Sequence, residues 1–138
     1  MLINSTKESM PRILNRRLEI LYDLAKQQAE CIVTCTVNFS EYELQQQVNR
    51  MQYKVKCQLF DASSGCNTRD NLLYTYDVQI ISPTTSYSVN LIFDAILPLS
   101  QLKKDLRKDE IYGLFTLYNR SSEPKKLKKQ TNTVESRL

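Results

Sequence analysis

The chain has 138 residues, of which 41% are hydrophobic and 25% charged, and its formal net charge is +4. This composition is typical of one globular domain, long enough to bury a core without a metal or disulfides. It contains no histidine and only two glycines, which excludes histidine-dependent catalytic triads and glycine-rich phosphate-binding loops. We therefore expect no enzyme activity and no cofactor.

The first residues of the sequence contain no apolar leader, and no later run reaches the length of a membrane span. We expect an intracellular protein, nuclear or cytoplasmic, without a membrane partner. Its four cysteines lack the paired C-x-x-C spacing of metal sites, and three of them alternate with polar residues. They are predicted to be reduced and buried as small apolar side chains. These cysteines are Cys31, Cys35, Cys57 and Cys66.

Residues 1–9 are predicted to form a flexible N-terminus, followed by an amphipathic helix over residues 12–30. Pro11 suits a first helical turn, and no glycine or proline interrupts the segment. The apolar positions cover about 200° of the helix surface, more than packing on one sheet requires. Either loops cover the excess, or the helix also contacts a partner chain. The candidate interface residues are Ile13, Leu14, Leu18, Ile20, Leu21 and Leu24.

Four segments then alternate apolar and polar residues, which predicts antiparallel strands with one buried face. They cover residues 31–39, 51–59, 72–81 and 87–94. In the third, the even-numbered residues from Leu72 to Ile80 are predicted to face inward. The polar turn at residues 82–86 predicts a hairpin between the third and fourth strands. A fifth strand, apolar on both faces, is predicted over residues 111–119.

Two short helices are also predicted. Ser40 and Glu43 resemble a capping box before residues 41–49, where a bulged strand is the alternative, and Ser100 is a candidate cap for residues 101–108. The predicted fold is a two-layer α+β domain over residues 10–119, with a mainly antiparallel sheet of about five strands. This order of elements resembles, in outline, RWD-type modules, and that resemblance implies membership of a multi-subunit complex.

Residues 120–138 are predicted to be a disordered basic tail, since they contain six basic and two acidic residues whereas residues 1–119 contain thirteen of each. The run around Leu127 is similar to a nuclear-import signal, and the final Ser136-Arg137-Leu138 is similar to a peroxisomal address. The lysines of the tail are Lys125, Lys126, Lys128 and Lys129.

We therefore predict a non-catalytic protein-interaction module, a subunit or adaptor that associates with itself or another protein through the N-terminal helix. The alternative is an OB-like nucleic-acid-binding domain that uses the basic tail. Against it, the predicted open sheet face carries only Lys54 and Lys56 as a basic pair, and its aromatic residues face inward. A catalytic role for Asp61 and Asp70, which flank one loop, is explained at least as well by solvated carboxylates.

Overall fold

The structure is a computed structural model that describes residues 11–40, 52–62, 70–82, 88–102, 110–119 and 126–135. These ranges contain eight strands and one short helix. In chain order they are β1 (Arg12–Asp23), β2 (Gln28–Asn38), β3 (Tyr53–Asp61), β4 (Asn71–Thr75), β5 (Gln79–Ile81), β6 (Ser88–Pro98), α1 (Leu99–Leu102), β7 (Glu110–Asn119) and β8 (Lys126–Glu135).

Two antiparallel sheets face each other. Sheet A has three strands in the order β1-β2-β6, and sheet B has five, with the order β4-β3-β7-β8 and with β5 also paired to β3. The prediction of an α+β domain is therefore wrong, and so is the RWD-like order of elements. Each sheet covers the apolar face of the other, which is how sheets without covering helices bury their cores.

The predicted N-terminal helix is absent, and residues 12–30 instead form β1, a turn at residues 24–27 and the start of β2. A bulge inserts one extra residue in β1 between Leu14 and Arg17, and Asn15 there adopts a left-handed φ of 54°. The bulge brings Ile13 and Leu18, five residues apart, to the same buried face. The bulge interrupts the two-residue alternation of apolar residues in β1. The resulting spacing of apolar residues resembles that of an amphipathic helix.

The predicted strands at residues 31–39, 51–59, 87–94 and 111–119 correspond to β2, β3, β6 and β7. Their predicted inward residues, such as Val33, Val55 and Leu91, are buried. The period-two pattern is reliable in these strands because one face of each meets the opposite sheet.

The third predicted strand is wrong in two respects. It divides into β4 and β5, which share one edge of β3, and between them the Tyr76 N–H donates to the Cys57 carbonyl at 3.0 Å. At the two ends the buried residues are Leu73 and Ile81 rather than Leu72 and Ile80, whereas Tyr76, which was also predicted to face inward, is buried. The sequence permitted either set of inward residues, because Leu72 and Leu73 are both apolar and so are Ile80 and Ile81. The predicted hairpin does not form either, because β5 pairs with β3 and β6 with β2.

Aromatic side chains join the two sheets across the core. The ring of Phe93 in sheet A lies 6.0 Å from that of Phe115 in sheet B and 5.8 Å from that of Tyr76. The Tyr76 hydroxyl donates to the Cys31 carbonyl of β2 at 2.8 Å. This buried polar group therefore has a partner in the opposite sheet, as buried hydroxyls require.

The segment predicted as a disordered tail contains β8, which pairs with β7 along most of its length. Residues 126–135 therefore form an edge strand of sheet B and not the disordered segment that was predicted. The prediction of a short helix at residues 41–49 lies outside the described residues. Of the helix predicted at residues 101–108, the described part belongs to α1, which ends at Leu102.

Candidate functional site

The six predicted interface residues separate into three groups. Ile13 and Leu18 belong to the core, each only 2% exposed, and cannot serve a partner. Leu14 and Ile20 are half-buried. Leu21 and Leu24 are 47% and 59% exposed, so a part of the predicted apolar surface remains on the outside, but on a strand and a turn instead of a helix.

One side of the sandwich is closed by contacts between β1 and β8. The Asn132 side chain accepts from the Leu18 N–H through Oδ1 at 2.7 Å and donates to the Leu18 carbonyl through Nδ2 at 3.2 Å. Nearby, the Arg16 Nε donates to the Gln130 carbonyl at 2.8 Å. These side chains occupy backbone groups that an edge strand otherwise offers to another chain.

A bulge in β8 places Asn132 in this position. The register shifts between Tyr112 and Leu114, opposite Gly113, whose N–H donates to the Thr131 hydroxyl at 2.8 Å. A Cβ added at Gly113 would lie 3.1 Å from the Val33 side chain and 3.2 Å from that of Thr131. A glycine at this position therefore allows the bulged strand and β2 to approach β7 closely.

The opposite edge of sheet A is β6. Along this strand the residues Ile92, Asp94 and Ile96 alternate with the inward-facing ones, and Ile92 and Ile96 are 62% and 61% exposed. Gln79 Nε2 donates to the Ile92 carbonyl at 2.8 Å. The two isoleucines are separated on this strand face by Asp94.

These isoleucines belong to a continuous patch on the outer face of sheet A. In register, Leu21, Glu30 and Ile96 form one row across the three strands. The next row is Glu19, Ile32 and Asp94, and the third is Arg17, Thr34 and Ile92. We call these three rows the sheet A patch. Its members are Arg17, Glu19, Leu21, Glu30, Ile32, Thr34, Ile92, Asp94 and Ile96.

The acidic members of the sheet A patch influence one another. A hydrogen bond with Asp94 and the negative charge of Asp94, with a smaller contribution from Glu19, raise the pKa of Glu30 above its ordinary value of 4.5. The folded protein therefore holds this proton more tightly than the unfolded chain does. The stability that Glu30 contributes is complete below pH 4.5 and is lost as the pH rises through the folded-state pKa.

We expect the substitution Asp94→Asn to lower the pKa of Glu30 towards 4.5, because it removes the neighbouring charge that opposes ionisation. A carbon-detected NMR titration of the Glu30 carboxyl group measures this directly. The matched control is Asp77→Asn, an exposed aspartate outside the patch. An unchanged Glu30 titration in Asp94→Asn would show that the two carboxyls do not interact.

The predicted tail lysines lie on different faces of β8. Lys126 and Lys128 pair with Tyr118 and Thr116 on the outer face of sheet B, whereas Lys129 pairs with the inward-facing Phe115. Lys129 instead lines an edge cleft that Pro11 and Arg16 also line. Lys125 lies outside the described residues.

Sequence reasoning did not anticipate that the tail and the interior of the sheet would share one basic surface. Lys54 and Lys56 of β3 lie across β7 from Lys126 and Lys128. The ammonium groups of Lys54 and Lys126 lie 5.8 Å and 5.5 Å from the centre of the Tyr118 ring. Residues 126–130 fit a two-residue alternation in which Leu127 faces inward. This pattern could have predicted a strand with Lys126 and Lys128 on its outer face.

The cysteines within the described ranges are apolar core residues. Cys31, Cys35 and Cys57 are buried as free thiols, and burial raises the pKa of Cys31 and Cys35 to about 12. A thiol that resists ionisation in this way is a poor nucleophile and metal ligand. Cys66 lies outside the described residues, among which no cluster of three or more metal-ligating side chains occurs.

The two predicted loop aspartates have different surroundings. Asp61 is buried at the end of β3. Asp70 is exposed and accepts a hydrogen bond from the Tyr112 hydroxyl at 2.5 Å. Burial, and then this contact with Asp70, raise the pKa of Tyr112 to about 12. This hydrogen bond links β7 to the residue that precedes β4.

No helix in the described ranges is long and apolar enough to cross a membrane.

Comparisons with known proteins give a limited result. No family model matches the sequence, and no curated protein is similar to it in sequence. Several solved structures are similar to this chain, and two of them match over 91% of it. They are structural genomics target SoR45, with 11% identity over 84% of its length and a TM-score of 0.42, and the sporulation control protein Spo0M of Bacillus subtilis, with 13% identity and a TM-score of 0.47. The match covers 49% of the Spo0M chain, so this chain spans about half the length of that protein.

Proposed function

We propose that this chain is a non-catalytic protein-interaction module, a subunit or adaptor of a larger complex, that binds its partner through the sheet A patch. The observation that supports this proposal is the exposure of Leu21 on β1 and of Ile92 and Ile96 on β6, on the same outer face of a three-stranded sheet. Burying three large aliphatic side chains stabilises a complex by several kcal/mol at about 25 cal/mol per Å². The interaction surface is thus moved from the predicted helix to a sheet.

The size of the face limits the affinity. Three strands of about eleven residues cover roughly 14 Å by 35 Å, so a partner that covered the whole face would bury about 1,000 Å² in total. Specific interfaces begin at about this area, and those at the lower limit are transient. We therefore propose a partner that binds reversibly.

The charge of the patch indicates the chemistry of that partner. Glu19, Glu30 and Asp94 lie between the apolar side chains and outnumber Arg17, the cation in the row of Ile92. Glu30 already retains its proton more tightly because of Asp94. A cationic side chain placed there would relieve this repulsion. A partner segment that alternates lysine or arginine with apolar residues matches both features.

The test is the double substitution Ile92→Lys and Ile96→Lys, which removes the apolar contacts while leaving the inward face of β6 unchanged. We expect the fold to be retained, because substitutions of exposed residues change stability by about 0.5 kcal/mol or less. Binding to partners cross-linked in cells and identified by mass spectrometry should decrease at least ten-fold. The matched control is Ile80→Lys, an equally apolar residue that is 51% exposed on sheet B.

The control distinguishes a specific surface from general hydrophobic adhesion. If Ile80→Lys loses the same partners to the same extent, the sheet A patch is not the interface. If the double variant keeps every partner, the proposal is wrong even though the protein remains folded.

A further inference from the structure

The outer face of sheet B carries a second surface, independent of the sheet A patch. Lys54, Tyr118 and Lys126 are neighbours in register across β3, β7 and β8. Lys56, Thr116 and Lys128 form the adjacent row. Four lysines therefore surround one aromatic ring and one hydroxyl. We call these six residues the lysine patch.

The spacing of the four lysines follows from strand geometry. Two lysines on one strand are separated by about 7 Å, and the pairs on β3 and β8 by about 10 Å, since β7 lies between them. Thr116 is only 2% exposed although it lies on the outer face, and its cross-strand neighbours are Lys56 and Lys128. Their aliphatic stems therefore lie over the sheet while the ammonium groups extend outward.

The lysine patch carries four positive charges, and none of its six residues is acidic. Among the described residues, Asp77 lies in the segment opposite Lys56, since Gln58 pairs with Thr75 and Val55 with Gln79. Glu110 and Glu135 are register partners at the opposite end of β7, about 27 Å from Tyr118 along the strand. This distance is more than three Debye lengths at physiological ionic strength, where the screening length is about 8 Å. Asp77 therefore reduces the charge at the Lys56 end, and the patch keeps an excess of positive charge.

We propose that the lysine patch binds single-stranded nucleic acid. Lysine pairs repeated along two strands match neighbouring phosphates of an extended chain. The ammonium groups of Lys54 and Lys126 lie over the Tyr118 ring, and when they turn to phosphates the ring offers a surface on which a base can stack. An acidic peptide would use the lysines but not the ring. A duplex is disfavoured because a flat sheet face does not enter a groove and would contact phosphates alone.

The experiment measures binding of the full chain to a fluorescein-labelled oligouridylate of twelve nucleotides by fluorescence anisotropy over a range of salt concentrations. Each lysine that contacts a phosphate contributes about −0.7 to the slope of log affinity against log salt for single strands. Four lysines predict a slope of about −2.8. The double variant Lys56→Gln and Lys128→Gln should lower the magnitude of that slope by about 1.4 and the affinity at low salt at least ten-fold.

The matched control is the double variant Lys129→Gln and Lys26→Gln, which removes the same charge. Lys129 is adjacent to Lys128 in sequence but lies on the other face of β8, and Lys26 lies in the turn between β1 and β2. The control should keep the wild-type slope. Tyr118→Leu should keep the slope but lower the affinity roughly ten-fold, because stacking does not depend on salt as phosphate contacts do.

Three outcomes would overturn the proposal. The first is an equal loss in both lysine double variants, which would show that net charge alone binds. The second is displacement of the oligonucleotide by polyglutamate of equal charge together with an unchanged affinity in Tyr118→Leu, which would assign the patch to acidic peptides. The third is a wild-type chain that binds no oligonucleotide but self-associates in a salt-sensitive way, with the self-association lost in the Lys56→Gln, Lys128→Gln variant. That result would assign the lysine patch to contact with a second copy of the chain. Circular dichroism of each variant confirms that its fold is intact.

Discussion

Replacing Phe115 by alanine should lower the free energy of unfolding by about 3–5 kcal/mol. The side chain is fully buried on β7 and lies 6.0 Å from Phe93 of the opposite sheet. Its removal leaves a cavity between two sheets whose backbones are held by hydrogen bonds and cannot close over it. Because domains of this size are stable by about 5–15 kcal/mol, this loss is a large fraction of the total stability. Urea denaturation measures the change.

Phe60→Ala is the matched control for this prediction. Phe60 lies on the neighbouring strand but on the outer face of sheet B, half-buried and stacked at 5.7 Å on Tyr112. Its loss should cost about 1 kcal/mol, since it removes an exposed aromatic contact without forming an internal cavity. Equal losses in the two variants would show that the space between the sheets does not form the main core.

Asn132→Ala should lower the free energy of unfolding by about 1–3 kcal/mol, a large effect for a residue on the surface. The Asn132 amide satisfies both backbone groups of Leu18 and so joins β1 of sheet A to β8 of sheet B. Alanine removes both hydrogen bonds and reopens the two strand edges. Denaturation measures the stability, and hydrogen exchange at the Leu18 amide should accelerate in parallel.

Thr133→Ala provides the comparison, because Thr133 is the next residue of the same strand and is exposed. We expect it to change stability by less than about 1 kcal/mol, the range of strand propensity. If the Leu18 amide remains protected from hydrogen exchange in Asn132→Ala, the Asn132 side chain does not close this side of the sandwich. The contact also means that deleting residues 120–138 should destabilise the fold, since the deletion removes β8.

The residues of the two proposed interaction surfaces could be predicted only in part. The polar-face residue Ile92 interrupts an otherwise hydrophilic alternation in the sequence, and the structure exposes it. Leu21 and Leu24 are exposed as well, although the helix on which they were predicted does not exist. The lysine patch could not be predicted, because Lys54 and Lys128 are distant in sequence and only the β3-β7-β8 order makes them neighbours.

The sequence by itself determined the strands whose inward residues are all apolar. In β2 and β3, cysteines, valines and aromatic residues alternate with polar ones, and this pattern identifies both the strand and its buried face without knowledge of the partner strands. It also determined that the buried cysteines on these strands serve as small core residues, since their polar neighbours point outward.

Only the tertiary structure decided the conformation of β1, β8 and the β4–β5 region. β1 contains good helix-forming residues, and its bulge at Asn15 hides the strand period, so pairing with β2 outweighs local preference. β8 has few apolar residues and lies at a sheet edge, where it is held by pairing with β7 and by the contact of its Asn132 with Leu18 of β1. Helix and strand preferences differ by less than about 1 kcal/mol per residue, so packing against neighbours that are distant in sequence decides between them.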